Sequence, residues 1–266
     1  MFAKFMIIPA NLGQITLKFI YEFGALTLLA LDTLRTIITG RKRWRLVIYH
    51  IYNFGWTSQP VILLTGGFVG MVFAAQIFWQ LKRVQLENAV GSIVAVSMFR
   101  ELGPTIAALM IAGRVGAAIT AEIGSMRVTE QVDALRSMCV PPVDYLVVPR
   151  ILAIMISMPL LTAEAIMMGI GSSFFLSTQL LGVDPTWFWS NTVKYVGMGD
   201  IRTGLVKGFF FGLIIVFISC FKGLTCPDGA EGVGRATTAA VVTSSITIII
   251  ANFFITFMLN AFFPII

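Results

Sequence analysis

The sequence predicts an all-α integral membrane protein that has an N-terminal interfacial helix, five transmembrane helices, and a short cytoplasmic helix between the second and third spans. Hydrophobic residues make up 57% of the chain and charged residues only 12%, outside the usual balance of soluble domains. Charge-poor stretches of the ~20 residues needed to cross a bilayer recur along the chain. A large soluble domain is therefore excluded.

Residues 1–58 are predicted to form an N-terminal amphipathic interfacial region, and residues 59–266 the transmembrane domain. The stretch 19–38 is apolar, but acidic and basic residues interrupt it, so that its charge-free core, 23–31, is too short to cross a bilayer. This pattern favours a helix lying in the membrane interface. A sixth span is the alternative.

The five spans follow from runs with few charges. TM1 and TM5 contain no charged residue, whereas TM2 contains Arg100, Glu101 and Arg114, and TM3 contains Glu164. The predicted spans are TM1 60–81, TM2 89–118, TM3 151–176, TM4 201–221 and TM5 239–262.

Lysine and arginine dominate the first fifty residues, so the positive-inside rule places the N-terminus in the cytoplasm. Five spans then place the C-terminus outside. The same parity makes the charged segments 122–150 and 222–235 cytoplasmic, and makes 184–200 an external loop. Its aromatic residues suit the headgroup region: Trp187, Phe188, Trp189 and Tyr195.

Small residues recur at spacings of four in two spans. Gly66 and Gly70 form one GxxxG motif in TM1, and Gly204, Gly208 and Gly212 form two in TM4. Such residues let helix backbones approach closely in lipid. The favoured interpretation is tight packing within one subunit, and the alternative is a seam between two copies.

Arg100 and Glu101 lie about twelve residues into TM2, which predicts a position near mid-membrane, where ionisable groups are costly. Pro104 lacks the N–H that would bond the carbonyl of Arg100, so the helix should be loosened there. Adjacent residues on a helix do not face each other, so each charge needs its own partner. One interpretation is a polar spot in an apolar cavity for an amphiphile. The other is a structural interhelical pair with Arg114, Glu164 or a residue of TM5.

The segment 121–138 predicts a short amphipathic cytoplasmic helix, which ends before Pro141. Its apolar stripe consists of Val128, Val132, Leu135 and Cys139. A helix resting on its own bundle and a docking helix that enters a partner's groove are both open.

No catalytic residue, metal ligand or nucleic-acid partner is predicted. The motif GxxxxGK[ST] is absent, so nucleotide binding by this chain is not expected. His50 is the sole histidine and has no evident catalytic partner. Cys139, Cys220 and Cys226 are expected to be small apolar fillers near the cytoplasmic face. Glu164 is expected to be a satisfied carboxylate, with a proton or headgroup site as the alternative.

The stretch SMFRELGPTIAALMIAGRVGAAITAEIGSMRVTEQVDAL (97–135), together with EGVGRATT (231–238), resembles the MlaE/YrbE permease family, and the resemblance spans essentially the whole chain. It implies a homodimeric permease subunit of an ABC transporter in a Gram-negative inner membrane. That transporter moves phospholipids between the inner and outer membranes and maintains outer-membrane lipid asymmetry. The implied partners are an ATPase with a Walker A motif that binds ATP and Mg, a periplasmic ring of MCE-domain protein, and a small accessory cytoplasmic protein.

The resemblance also implies roles for particular residues. Arg100 and Glu101 become the leading lipid-pocket candidates, and the segment from Glu122 to Arg136 becomes the coupling helix that docks on the ATPase. The further lipid-binding candidates are Phe73, Leu81, Lys207 and Arg235, and the coupling candidates are Glu122, Arg127, Glu130, Asp133 and Arg136.

Two functions from other classes remain open at this point. One is a secondary transporter in which Glu101 and Glu164 relay protons. The other is a membrane scaffold without a transport role.

Overall fold

The computed structural model describes residues 2–40 and 43–262 of the chain. Within these ranges the backbone forms helices joined by short turns and contains no β-strand. Five segments are long and apolar enough to cross a membrane, which confirms the predicted all-α fold with five spans. They keep the names TM1 to TM5 and run over Trp44–Lys82, Glu87–Val128, Val143–Gln179, Met198–Leu224 and Ala230–Ala261.

Each segment begins before its predicted span, and all except TM5 also end after it. Several of these extensions include charged residues, whose long side chains reach the interface from helix ends. TM1 shows the largest extension, since its apolar segment begins inside the predicted interfacial region. It consists of the helix Trp44–Phe54, a single turn at Trp56–Ser58 and the helix Gln59–Lys82. Pro60 lies in the first turn of the last helix, where a missing N–H costs nothing.

The N-terminal helix runs over Phe2–Thr39 and is not one of the five apolar segments of the described chain. One face packs on the bundle: Thr33 is fully buried, and Lys222 of TM4 donates to Glu22 at 2.8 Å. The opposite face carries exposed Leu28 and Leu31. Its location in the membrane interface stays a prediction.

TM2 runs without a break to Val128, ten residues beyond its predicted end. Two stretches within this continuous helix, Met98–Leu102 and Ala112–Gly116, are π-helical rather than α-helical. Such turns insert an extra residue into the helix and occur often at functional sites.

The prediction of one cytoplasmic helix over 121–138 is wrong. The first part continues TM2, the chain then turns at Glu130, whose φ is +59°, and a separate helix runs over Gln131–Ser137. Val132 is buried as predicted, but Cys139 at the end of the stripe is exposed. The sequence has no Gly or Pro at the turn, and a Glu with positive φ is uncommon, so nothing signalled the break.

The glycines of TM1 pack within the subunit, against the parallel TM3. A Cβ at Gly66 would lie 2.8 Å from the carbonyl oxygen of Ala165, and Gly70 faces Gly169 even more closely. In TM4, Gly208 faces Thr162 and Gly212 faces Met158. The predicted packing within one subunit is confirmed at these positions, because any larger side chain would force the helices apart.

The predicted external loop 184–200 contains a helix, Pro185–Tyr195. Asp184 caps it by accepting from the backbone N–H groups of Thr186 and Trp187 at 2.7 and 3.3 Å. These hydrogen bonds lower the pKa of the Asp184 carboxyl. The Asp-Pro pair is a helix-start signal that the prediction overlooked. Phe188 of this helix is fully buried, whereas its other three aromatic residues are exposed: Trp187, Trp189 and Tyr195.

Candidate functional site

Pro104 shapes the first π-helical turn of TM2, which carries Arg100 and Glu101. Because Pro104 has no N–H, the carbonyl of Arg100 lacks its usual helical donor. Lys207 of TM4 supplies it instead, with its Nζ 2.7 Å from that carbonyl oxygen. The loosened helix predicted from the sequence therefore forms the site to which TM4 attaches.

Arg100 pairs with Asp200, which lies in the first turn of TM4 and is 5% exposed. The other carboxylate oxygen of Asp200 accepts the N–H of Gly197 at 2.8 Å. Asp200 therefore fixes both the start of TM4 and the guanidinium group of TM2. Among the partners that the sequence offered for Arg100 and Glu101, Arg114 and Glu164 pair with neither of them in the described ion pairs.

Glu101 is held by TM4 and TM5 together. Lys207 Nζ lies 2.7 Å from its carboxylate, and Asn252 of TM5 donates to it at 2.9 Å. Thr256 accepts from Lys207 at 2.7 Å, and its hydroxyl lies 3.1 Å from Glu101. The expected contact with TM5 thus exists as hydrogen bonds, and the charged partner comes from TM4.

The polar network, defined as Arg100, Glu101, Asp200, Lys207, Asn252 and Thr256, contains two cationic and two anionic groups. Its charges therefore cancel. Lys207 is fully enclosed, whereas the side chain of Glu101 is 40% exposed and that of Arg100 is 22% exposed. The network thus offers one carboxylate and one guanidinium group at an opening while the remaining charges stay inside.

The mid-membrane depth predicted for Arg100 and Glu101 stays a prediction, and the structure places the network only relative to the ends of the helices. Asp200 is in the first turn of TM4, and Thr256 lies six residues before the end of the TM5 helix at Phe262. The site is therefore close to the end of the bundle that carries the helix Pro185–Tyr195.

The other predicted lipid-binding residues lie apart from the network. Phe73 and Leu81 are half-buried in an apolar cluster that also contains Phe99 and Leu102, the neighbours of the charged pair in sequence. Arg235 is at the opposite end of TM5, where it forms a loose pair with Glu231 at 3.7 Å, and both side chains are exposed. Lys207 is the one such residue that joins Arg100 and Glu101.

The predicted coupling residues separate into two groups. Glu122 lies within TM2 and pairs with Arg150 at the start of TM3, at 2.8 Å. Around the turn, Asp133 accepts from Arg127 at 3.0 Å and from Arg136 at 2.8 Å, and all three side chains are exposed. Glu130 is exposed on the turn itself.

Three other predictions have mixed outcomes. Arg114 is exposed and has no ion pair within the described residues. Glu164 accepts from Gln59 of TM1 at 2.9 Å, but its second oxygen has no described partner. The filler interpretation fits the buried Cys220 and Cys226, where burial raises the pKa of the Cys226 thiol, and it is wrong for the exposed Cys139.

A cavity of about 690 Å³ lies beside Phe99, between TM3 and the helix Pro185–Tyr195. Its walls are almost entirely apolar and include Phe174 and Trp189. The volume falls within the range of small-molecule sites. The sequence had not indicated this cavity.

Sequence reasoning missed three members of the network. Asp200 was assigned to the external loop, although it is the first carboxylate next to TM4. Asn252 and Thr256 stand in the charge-free stretch 239–262, and their four-residue spacing places both on one helix face. A polar amide within such a span is a signal of an interhelical contact, and it could have been used.

The described chain is thus a bundle of five spans with a neutral polar network where three of them meet, and ionisable groups inside such a bundle typically line substrate or ion pathways. The chain belongs to the MlaE permease family, whose model matches residues 47–258. This finding confirms the resemblance seen in the sequence.

Curated relatives cover most of the chain. A probable ABC transporter permease protein of Rickettsia felis is 41% identical over 249 residues, which are 94% of this chain and 96% of the relative. The intermembrane phospholipid transport system permease protein MlaE of Haemophilus influenzae is 38% identical over 81% of this chain and 83% of the relative. The chloroplast protein TRIGALACTOSYLDIACYLGLYCEROL 1 of Arabidopsis thaliana is 36% identical over 92% of this chain and 69% of the relative.

Proposed function

We propose that this chain is the transmembrane permease subunit of an ABC transporter that moves phospholipids between the inner and outer membranes of a Gram-negative cell. The carrying observation is the neutral polar network, open at Arg100 and Glu101, in a bundle that is otherwise apolar. Membership in the MlaE family and the name of the Haemophilus influenzae relative support a phospholipid as the cargo.

The open edge of the network has the chemistry that a phospholipid headgroup requires. In this proposal the phosphate binds beside Arg100, because a guanidinium group recognises phosphate oxygens through paired hydrogen bonds. Glu101 accepts a cationic headgroup or a hydroxyl, and Lys207 and Asn252 hold its carboxylate in place. The acyl chains lie along apolar side chains such as Phe73 and Leu81.

Energy comes from a separate ATPase subunit that binds ATP and Mg, and this chain is not catalytic. The short helix Gln131–Ser137 is the proposed docking element, since Glu130, Arg136 and Met138 are all exposed around it. On the other side of the membrane, a ring of MCE-domain protein receives or delivers the lipid. A small accessory cytoplasmic protein completes the proposed complex, in which the N-terminus is cytoplasmic and the C-terminus periplasmic.

The binding test is native mass spectrometry of the purified permease. Wild type should carry phospholipid, and Arg100→Ala and Glu101→Ala should each carry less, because each removes a group at the opening. Arg83→Ala is a control, as Arg83 is exposed in the turn between TM1 and TM2. Undiminished lipid in both site variants would overturn the assignment of the pocket.

The transport test uses the chain assembled with its ATPase in vesicles of phosphatidylethanolamine and phosphatidylglycerol that contain a fluorescent phospholipid. ATP should drive movement of the fluorescent lipid, and lipid should stimulate ATP hydrolysis. An assembled complex that moves no lipid would support the scaffold alternative instead.

We also propose that the subunit is a homodimer that meets along TM5. Only 11% of the most apolar stretch of TM5 is buried, against 33% or more for each other span of the described chain. Ile250→Cys in a Cys139→Ser background should form a disulfide-linked dimer in membranes. Met167→Cys on TM3 is comparably exposed and should not. Equal cross-linking at both positions would contradict a TM5 interface.

The proton-relay alternative finds no support in the contacts. Glu101 bonds to TM4 and TM5, whereas Glu164 bonds to Gln59 of TM1. No hydrogen bond among the described residues connects the two carboxylates. Transport by this chain alone, driven by a pH gradient without ATP, would revive that alternative.

A further inference from the structure

The most deeply buried arginine of the described chain lies outside the polar network. Arg150, in the first turn of the α-helical part of TM3, Val148–Gln179, has a side chain that is only 3% exposed. Its guanidinium group bonds the carboxylate of Glu122 in TM2 at 2.8 Å and the carbonyl oxygen of Leu146 at 2.6 Å. A buried cation of this kind is retained only where a partner compensates the charge.

Glu122 is the only anionic partner that the described ion pairs give to Arg150. His50 of TM1 and Cys220 of TM4 lie within electrostatic range of both groups, so four spans converge on this pair. His50 and Cys220 are themselves buried. The Glu122 side chain is 53% exposed, so Arg150 is the buried member of the pair and Glu122 compensates its charge from the surface.

The Glu122–Arg150 pair lies where the cytoplasmic segment that carries the short helix Gln131–Ser137 joins TM2 and TM3. On one side, Arg127 of TM2 bonds Asp133 of that helix at 3.0 Å. On the other side, the chain returns through the π-helical turn Val143–Val147, which bonds Arg150. A displacement of the short helix thus reaches TM2 through Arg127 and reaches TM3 through the returning chain, and the Glu122–Arg150 pair joins the two spans to each other.

We propose that Glu122 and Arg150 form a positioning pair that makes the cytoplasmic ends of TM2 and TM3 move as one body when the ATPase displaces the short helix. Glu122, although half exposed, thereby connects two spans of this chain rather than serving as a docking residue. TM2 carries the same movement upward to Arg100 and Glu101, about 30 Å away along the helix. The inference rests on the proposed role as an ATP-driven permease.

The test measures lipid moved per ATP hydrolysed in the assembled complex, with the vesicles and fluorescent phospholipid described above. Glu122→Gln removes the counter-charge and keeps the size of the side chain. It should lower the lipid moved per ATP by about fivefold or more, the lower end of usual coupling between sites. Arg150→Lys keeps a positive charge that can still pair with Glu122, so it should lower the lipid moved per ATP less than Glu122→Gln does.

The matched control is Asp228→Asn, which removes an exposed carboxylate from the loop between TM4 and TM5. It should leave the ratio unchanged. An unchanged ratio in Glu122→Gln, whether or not total ATP hydrolysis falls, would overturn the pair's role while leaving the proposed function intact. A wild-type complex that moves no lipid would instead defeat the proposed function.

If Glu122→Gln does not assemble with the ATPase, spin labels on the permease alone decide the matter. In a Cys139→Ser background, one label is placed on Ser125→Cys near the end of TM2 and one on Leu160→Cys of TM3, and both positions are exposed. If the pair holds TM2 and TM3 together, the distance between the two labels should have one narrow distribution in the otherwise wild-type chain and a broad one in Glu122→Gln. An equally narrow distribution in both would overturn the proposal.

Discussion

Two groups of charges lie in TM2 and in the short helix that follows it, and they differ in burial and in the location of their partners. Around Arg100 and Glu101, each charge reaches across to TM4, and Lys207 is fully enclosed. Around Arg127 and Asp133, the partners are neighbours along the chain, and all of them are exposed.

The comparison shows that the contribution of a salt bridge to stability depends on whether its groups are buried. Exposed pairs contribute about 0–1 kcal/mol because water competes for both groups. Buried groups lose water on folding, so removal of one partner leaves an uncompensated charge at a far higher cost. The first group can therefore hold spans together and shape a binding site, while the second is free for contacts with another protein.

The largest expected effect is that of Lys207→Met. It leaves Glu101 and the carbonyl of Arg100 without their donor, so the free energy of unfolding in detergent should fall by about 3 kcal/mol. This is the lower end for buried pairs, since Glu101 is partly exposed. Lys194→Met, on the exposed face of the helix Pro185–Tyr195, should stay within about 0.5 kcal/mol. Equal unfolding midpoints for the two variants would contradict the enclosed network.

A matched pair of carboxylates gives the next effect. Asp200→Asn weakens the bond to Arg100 and should cost about 2 kcal/mol, the value of a hydrogen bond to a charged group. Asp133→Asn removes the same charge from the exposed group and should cost less than about 0.5 kcal/mol. Thermal unfolding of both variants measures the difference, and a larger loss for Asp133→Asn would reverse the comparison.

The exposed group should matter for assembly rather than for stability. Glu130→Lys reverses a charge that lies on the turn and makes no described pair, so unfolding of the isolated permease should not change. The affinity of the Glu130→Lys permease for the ATPase should fall about tenfold, which corresponds to about 1.4 kcal/mol. Pull-down at graded ATPase concentrations measures this, and Asp228→Asn is again the control. Wild-type affinity would remove the docking role of the turn.

The smallest effect is expected for Arg235→Gln. Arg235 and Glu231 are 3.7 Å apart with side chains 71% and 84% exposed. Their loss should change the free energy of unfolding by about 0.3 kcal/mol or less. A loss above about 1 kcal/mol would show that Arg235 has a partner in the assembled dimer, because the isolated subunit offers none to explain it.

The sequence predicted the site best where local chemistry was decisive. Arg100, Glu101 and Pro104 stood out because charges and a missing N–H are visible in any apolar helix. Their partners were not visible, since Asp200 and Lys207 lie about a hundred residues further along the chain. The turn at Glu130 was equally hidden, because a Glu with positive φ leaves no mark in the residue pattern.

The sequence by itself determined the class of protein, the number of spans and the need for interhelical partners, because a bilayer imposes length and apolarity on every span. Only the tertiary structure decided which charges are enclosed, where the site lies along the bundle, and that Glu122 is committed to Arg150. The physical reason is that hydropathy depends on local composition, whereas pairing depends on which helices meet and at what relative depth. Packing at residues such as Gly66 and Gly208 determines which helices meet, because close contact with another span fixes the relative position of the two helices along their axes.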